Sequence, residues 1–281
     1  MSVINTNVSA LYSQNAMKTN ARSMSTAMEQ LSTGVRINSA KDDAAGLAIG
    51  QSMTSQIRGL NQAVRNANDA VNMMQTAEGA MVEQTNMLQR MSELATQAAN
   101  GTYSSSQRSY LDTEFKALTL QIANITSQTT WNDQHVLDGS NTNYVSGNAG
   151  DFQFQIGQKA NQMLTVHISA MTIGASGLNI SSLAINTSVG AAQAISTISD
   201  ALNKISLQRA AIGAGINQLA YAADNMSNIA SNVTQSRSTI MDTDYALAST
   251  QLAKTQILQQ ASTAMLAQAN QQAQGVMALL K

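Results

Sequence analysis

Apolar residues recur along this chain at helical spacing, and over long stretches they hold a single heptad register. Residues 3–33 carry a weak stripe of Ile4, Val8, Leu11, Met24, Met28 and Leu31, with Asn15 and Lys18 where bulk is expected. A helix this poor is marginal alone in water and needs a partner helix. Residues 42–99 carry a stronger seam: Leu60, Val64, Ala67, Val71, Met74, Met81, Leu88 and Ala95, interrupted by Glu78, Thr85 and Ser92. Asn100-Gly101 ends this pattern, and the Ser104-Ser105-Ser106 cluster offers N-caps for the next one. That next helix has a seam of Leu111, Phe115, Leu118, Ile122 and Ile125. The short link between the two predicts an antiparallel pair.

The period changes after Trp131. Phe152, Phe154 and Ile156 alternate with polar residues, as do Leu164, Val166 and Ile168, so two strands joined as a hairpin are predicted. Asp138-Gly139 and the region 147–150 are turn-like, and residues 170–189 read as irregular. The longest register follows: Ile195, Ile198, Leu202, Ile205, Arg209, Ile212, Ile216, Leu219, Ala223, Met226, Ala230, Val233, Arg237 and Ile240, broken by the two arginines. A helix over 190–235 is on the order of 70 Å long, which favours a rod over a globule. Past Asp242 the register weakens and Asp or Thr can cap a new start. A last stripe runs Leu247, Leu258, Ala261, Met265, Ala269, Val276 and Leu280. The expected fold is therefore mainly α: a long antiparallel coiled-coil-like rod with a small β-hairpin region, and N- and C-terminal helices pairing as a second helical domain. Its expected divisions are 1–44 and 236–281 for the two halves of the terminal domain, and 45–235 for the rod, with the hairpin region at about 138–176.

Between the first two helical patterns lies LSTGVRINSAKDDAAGLAIG, residues 31–50. Gly34 can take φ > 0, and Ser39 with Asp42 three residues on reads as a variant capping box. Asp42 and Asp43 suit the positive end of a helix dipole. The stretch is a joint between two helices.

Composition narrows the picture. Charged residues make up 11% of the 281, against roughly 25% in average proteins. The polarity comes from Asn, Gln, Ser and Thr, so helix faces repel each other little and suit contact between many copies. Proline is absent where roughly fourteen would be usual, in keeping with long uninterrupted helices. With no cysteine there is no disulfide framework. A net charge of −1 argues against nucleic acid or an anionic membrane as main partner. The N-terminus lacks a secretory signal pattern, and no apolar run approaches the length of a membrane span.

Enzymatic chemistry has few residues to work with. The two histidines, His135 and His167, belong to no HExxH motif, and there is no Walker A or GxGxxG pattern. No cofactor or metal is expected. The methionines of 73–91 read as adaptable seam fillers. One surface row stands out: Arg90, Glu93 and Gln97 fall at i, i+3 and i+7, with Gln89 and Leu94 beside them.

The 31–50 stretch resembles the N-terminal signature of bacterial flagellin, closely from Leu31 to Leu47. The likeness continues through Arg58-Gly59-Leu60, Arg65-Asn66-Ala67-Asn68-Asp69 and Gln75-Thr76-Ala77-Glu78-Gly79-Ala80. It returns at Asp242-Thr243-Asp244-Tyr245, Gln256-Ile257-Leu258-Gln259-Gln260-Ala261 and Ala267-Gln268-Ala269-Asn270-Gln271. It covers about residues 1–137 and 190–281, and the 138–189 region is too small for the outer domains of longer flagellins.

The resemblance implies a non-enzymatic structural subunit that self-assembles into the extracellular flagellar filament for motility. The resemblance also implies export through the flagellum's own channel. Ile4, Val8, Leu11, Met28, Leu31, Leu258, Met265, Val276 and Leu280 would serve assembly, with Gly34, Ser39, Asp42 and Asp43 at the domain joint. Implied partners are further copies, an export chaperone, and cap and hook-junction proteins. Gln89, Arg90, Glu93, Leu94, Gln97 and Glu114 also match the patch read by the flagellin-sensing Toll-like receptor, with Ser92 departing from the arginine often found there. The alternatives are a hook–filament junction protein and a secreted receptor-binding module.

Overall fold

The computed structural model describes residues 6–139 and 150–278, with side chains to Gln271. It is mainly α: α1 (Val8–Thr33), α2 (Ala44–Ala99), α3 (Ser105–Gln128), α4 (Ser188–Met241) and α5 (Tyr245–Ala278). Between α3 and α4 lie two small antiparallel ribbons, β1 (Thr130–Trp131) with β2 (Gln134–His135), and β3 (Asp151–Gln155) with β4 (Met163–His167). The chain forms two compact units, one of residues 1–57 with 231–281 and one of residues 58–230.

The 58–230 unit holds the apolar core. The heptad positions read from sequence on α2 and α4 are buried or half-buried, with Met74, Met81, Leu88, Ile198, Ile205, Ile212 and Leu219 fully inside. Contacts fix the direction of each pair. Gln84 meets Thr126 and Arg90 meets Glu114, so α2 and α3 run antiparallel, as their short link predicts. Glu78 meets Arg209, and a side chain on Gly215 would touch Met74, so α2 and α4 are also antiparallel. At Gly215 an added Cβ would sit 3.2 Å from Val166 Cγ2, so this glycine lets α4 approach β4 closely.

The α3 seam differs from the predicted one. Phe115 and Ile122 are buried, but the other positions of the buried face are Asp112, Thr119 and Thr126. Each polar atom there has a purpose. Asp112 Oδ1 accepts from Ile185 N at 2.8 Å. Thr126 Oγ1 accepts from Gln84 Nε2 at 2.9 Å and donates to Met171 O at 3.0 Å. The irregular segment 170–187 thus needs polar anchors on α3, and Met171, Leu178, Ile180 and Ile185 close over the core from it. Ser104 caps α3 in a full capping box with Gln107.

The predicted hairpin is present, with Phe154 opposite Leu164. The β1–β2 ribbon was not expected. Its two-residue turn has Asn132 and Asp133 at φ 48° and 63°, the left-handed pair that a tight hairpin turn requires.

The other unit contains α1, α5 and the joint. Gly34 ends α1 at φ 72°, in the left-handed region, and donates to Gln30 O at 2.9 Å. From there the chain pairs with the α4–α5 link. Arg36 N donates to Met241 O at 2.6 Å, Thr243 N donates to Gly34 O at 3.0 Å, and Val35 bridges Asp242. Arg36 Nη2 also donates to Ile240 O at 2.6 Å, which places a cation on the last carbonyls of α4. Ser39 and Asp42 close a turn rather than cap a helix: Asp42 Oδ2 accepts from both Ser39 N and Ser39 Oγ at 2.9 Å. The capping oxygen of α2 belongs to Asp43, whose Oδ1 accepts from Gly46 N at 2.8 Å. Asp244 does the same for α5, accepting from Ala246 N at 2.9 Å.

Candidate assembly surfaces and the polar row on α2

The helices α1 and α5 pair antiparallel, with Asn7 Nδ2 on Ala269 O at 3.0 Å and Asn20 Nδ2 on Thr255 O at 2.7 Å. Their seam mixes small and polar side chains with a few large apolar ones. On α1 the inward row is Ala10, Ser13, Met17, Asn20, Met24, Ala27 and Leu31; on α5 it is Ala248, Leu252, Thr255, Gln259, Ser262, Leu266 and Ala269.

This inverts the stripe read on α5. Leu247, Leu258 and Met265 point outward and are exposed, and so are Val8, Leu11 and Met28 on α1. Of the remaining residues assigned to assembly, Leu31 is half-buried in the α1–α5 row, whereas Ile4, Leu280 and the side chain of Val276 lie outside the described residues. The stripes read from sequence mix the two rows, since Met24, Leu31 and Ala269 fall on the inner face, where small and polar residues lie between the large ones. Each terminal helix thus keeps large apolar side chains that its intramolecular partner leaves uncovered.

On α2 the polar row is assembled as a cluster. Arg90 Nη1 lies 2.9 Å from Glu93 Oε2, and Arg90 Nε lies 3.0 Å from Glu114 Oε1 on α3. Hydrogen bonding from Glu93, then from Glu114, raises the Arg90 pKa above its already high ordinary value. Gln97 Nε2 donates to Tyr103 OH at 2.8 Å. Gln89, Glu93 and Gln97 also line a shallow open groove with Thr96, Asn100 and Leu202. Leu94 is a correction. It is 1% exposed and belongs to the core, because Met91, Leu94, Ala95 and Ala98 form the buried face of this part of α2. The patch is therefore polar, without an apolar centre from Leu94.

His167 Nδ1 sits 2.7 Å from Asp151 Oδ1 across the β3–β4 ribbon. Among the described residues no three His, Cys, Asp or Glu side chains gather as a metal site, and no helix is long and apolar enough to cross a membrane.

A two-ended helical chain with uncovered apolar rows on both terminal helices has the make-up of a self-associating subunit. Known proteins give the class its name. Residues 4–142 match the bacterial flagellin N-terminal helical region, and residues 195–280 match the bacterial flagellin C-terminal helical region. The flagellar filament 33 kDa core protein of Treponema phagedenis is 39% identical over 285 residues, spanning 99% of this chain and 100% of that one. The flagellin of Bacillus subtilis is 38% identical over 302 residues, spanning 99% of both. The crystal structure of Bacillus cereus flagellin superposes with a TM-score of 0.50 at 29% identity, covering 58% of this chain and 88% of that one. The chain belongs to the bacterial flagellin family, and it is a short form without outer domains.

Proposed function

We propose that this chain works by polymerising with its own copies into the flagellar filament, outside the cell, and that it has no catalytic role. The observation that carries this reading is the division of labour on α1 and α5. Small and polar residues with a few large apolar ones make the intramolecular seam, while Val8, Leu11, Leu258 and Met265 stay exposed. Large apolar side chains held out in water gain by burial against another surface. A heterologous contact of this kind, repeated from copy to copy, builds an open helical polymer. The same rows need covering before assembly, which gives an export chaperone its target, and export proceeds through the flagellar channel. Cap and hook-junction proteins would meet the same surfaces at the two ends of the polymer.

The test is seeded polymerisation of full-length protein carrying Leu11→Asp or Leu258→Asp. Both positions are exposed, so helical content by circular dichroism should match the parent, while pelleted filaments disappear. Normal filaments from both variants would sink the reading.

A second reading concerns the Toll-like receptor that senses flagellin. The Arg90–Glu93–Glu114 cluster is exposed and held in place by its own ion pairs, so it is organised before any partner arrives. With Gln89 and Gln97 it forms the proposed receptor-facing row. Arg90→Ala in monomeric protein should lower receptor signalling in a reporter cell, and an unchanged dose response would overturn the assignment.

A further inference from the structure

We propose that Asn100 is a site of spontaneous deamidation, prepared by the way α2 ends. Asn100-Gly101 is the one Asn-Gly pair in the sequence. It lies just past Ala99, outside the helix and exposed. Glycine places no Cβ beside the attacking nitrogen.

Three contacts arrange the reacting atoms. Thr102 N donates to Asn100 Oδ1 at 3.2 Å, which folds the carboxamide over the following peptide and polarises its carbonyl. Arg108 Nη2 donates to Asn100 O at 2.9 Å. That carbonyl is conjugated with Gly101 N, so a guanidinium on it draws electron density from the amide and makes the Gly101 N–H more acidic. The same guanidinium is anchored by Arg108 Nε on Ala98 O at 2.7 Å. The leaving nitrogen, Asn100 Nδ2, makes no hydrogen bond among the described residues. By contrast, Asn38, which precedes Ser39, has its Nδ2 tied to Thr33 Oγ1 at 3.0 Å and Val35 O at 3.1 Å.

The step balances with water as co-reactant. Gly101 N loses its proton and attacks Asn100 Cγ. The N–Cγ bond forms, the Cγ–Nδ2 bond breaks, and ammonia leaves. The resulting cyclic imide is opened by water at either carbonyl. One opening gives aspartate. The other gives isoaspartate, in which the former main-chain carbonyl is a free carboxylate facing Arg108, a charge-assisted pair that favours this product. Either product adds a negative charge to the groove that Glu93 also lines.

The experiment incubates folded full-length protein at mildly alkaline pH and follows the residue 97–108 peptide by mass spectrometry, with isoaspartyl methyltransferase labelling. A parallel sample is kept in urea. Residue 100 should convert in the folded chain at least as fast as in urea, while Asn38 stays intact in the folded chain. In Gly101→Ala the conversion should fall to the background of the other asparagines. An added Cβ at this position meets nothing within 4 Å, so that variant keeps the fold. Conversion confined to urea, or conversion indifferent to Gly101→Ala, would overturn the proposal.

Discussion

Arg209 Nη2 lies 3.4 Å from Glu78 Oε1, and each residue is the one that interrupts its own helix's apolar repeat at that level. Two faults in two separate patterns are one feature in space. A polar pair at a seam position costs stability compared with an apolar layer but penalises every slipped register, because slippage leaves each charge opposite an apolar side chain. Among the described residues Arg209 Nε is buried without a hydrogen-bond partner, a cost that the native register itself carries.

A double-mutant cycle tests this. Glu78→Ala and Arg209→Ala, singly and together, should give a coupling of about 0.5–1 kcal/mol by urea unfolding, small because both side chains are partly solvated. Arg209→Leu with Glu78→Leu should raise the unfolding midpoint while broadening the amide spectrum as alternative registers become populated. A sharper or unchanged spectrum would show that the pair does not set register.

Asp112 holds the irregular cover onto α3. Replacing it with alanine removes the acceptor for Ile185 N inside the core, which should cost about 1–3 kcal/mol. Asparagine keeps an oxygen for Ile185 N and loses only the ion pair with Lys116 at 2.6 Å. Asp112→Asn should therefore cost clearly less than Asp112→Ala in the same urea titration. Equal losses would mean that the charge, not the anchoring of residue 185, is what matters.

These polar anchors mark where sequence pattern stops being informative. The long seams of α2 and α4, the α2–α3 reversal and the β3–β4 hairpin follow from periodicity, since burial there is bulk apolar burial. Asp112, Thr119 and Thr126 are invisible to that search: Asp112 and Thr126 are buried to satisfy a loop's backbone groups, and Thr119 returns its hydroxyl to Phe115 O of its own helix. The β1–β2 ribbon was missed because two-residue strands carry no period, although Asn132-Asp133 is the kind of dipeptide that tolerates positive φ. Leu94 was misplaced by reading a polar row as a face. At the angular edge of that row a leucine turns inward and joins Met91, Ala95 and Ala98 on the buried face of α2. In the joint, Gly34 was legible as a helix stop, whereas choosing between Asp42 and Asp43 as the cap needed the turn closed by Ser39.

That turn has a pH signature. The Ser39 hydroxyl is the largest cause of a lowered Asp42 pKa, helped by the Ser39 and Asn38 backbone and by Lys41. A carboxylate whose pKa is lower folded than unfolded stabilises at pH values above its unfolded pKa, and that stabilisation is lost as the pH falls through the folded value. The turn at 39–42 should therefore hold at neutral pH and loosen only under acid below the usual carboxylate range. Ser39→Ala should shift the Asp42 carboxyl titration, followed by NMR, back up toward that range. No upward shift would remove the hydroxyl as the cause.

The α1–α5 seam makes a last prediction. Asn20 is buried at the middle of the pair, and its Nδ2 reaches Thr255 O at 2.7 Å and Gln259 Oε1 at 3.4 Å. A buried asparagine hydrogen-bonded across the seam fixes which turn of α5 faces which turn of α1. Asn20→Ala should weaken the pair by about 1 kcal/mol, seen as faster amide exchange along α1. Asn20→Leu should slow that exchange, since it adds apolar burial and leaves Gln259 free to turn to solvent. Its filaments should nevertheless form more slowly on seeds, because a pair free to slip no longer presents the outer rows of Leu11 and Leu258 in one fixed offset. If Asn20→Leu both strengthens the pair and assembles at the parental rate, the asparagine serves stability alone, and the offset of the outer rows must be set at the joint by Arg36 and Met241.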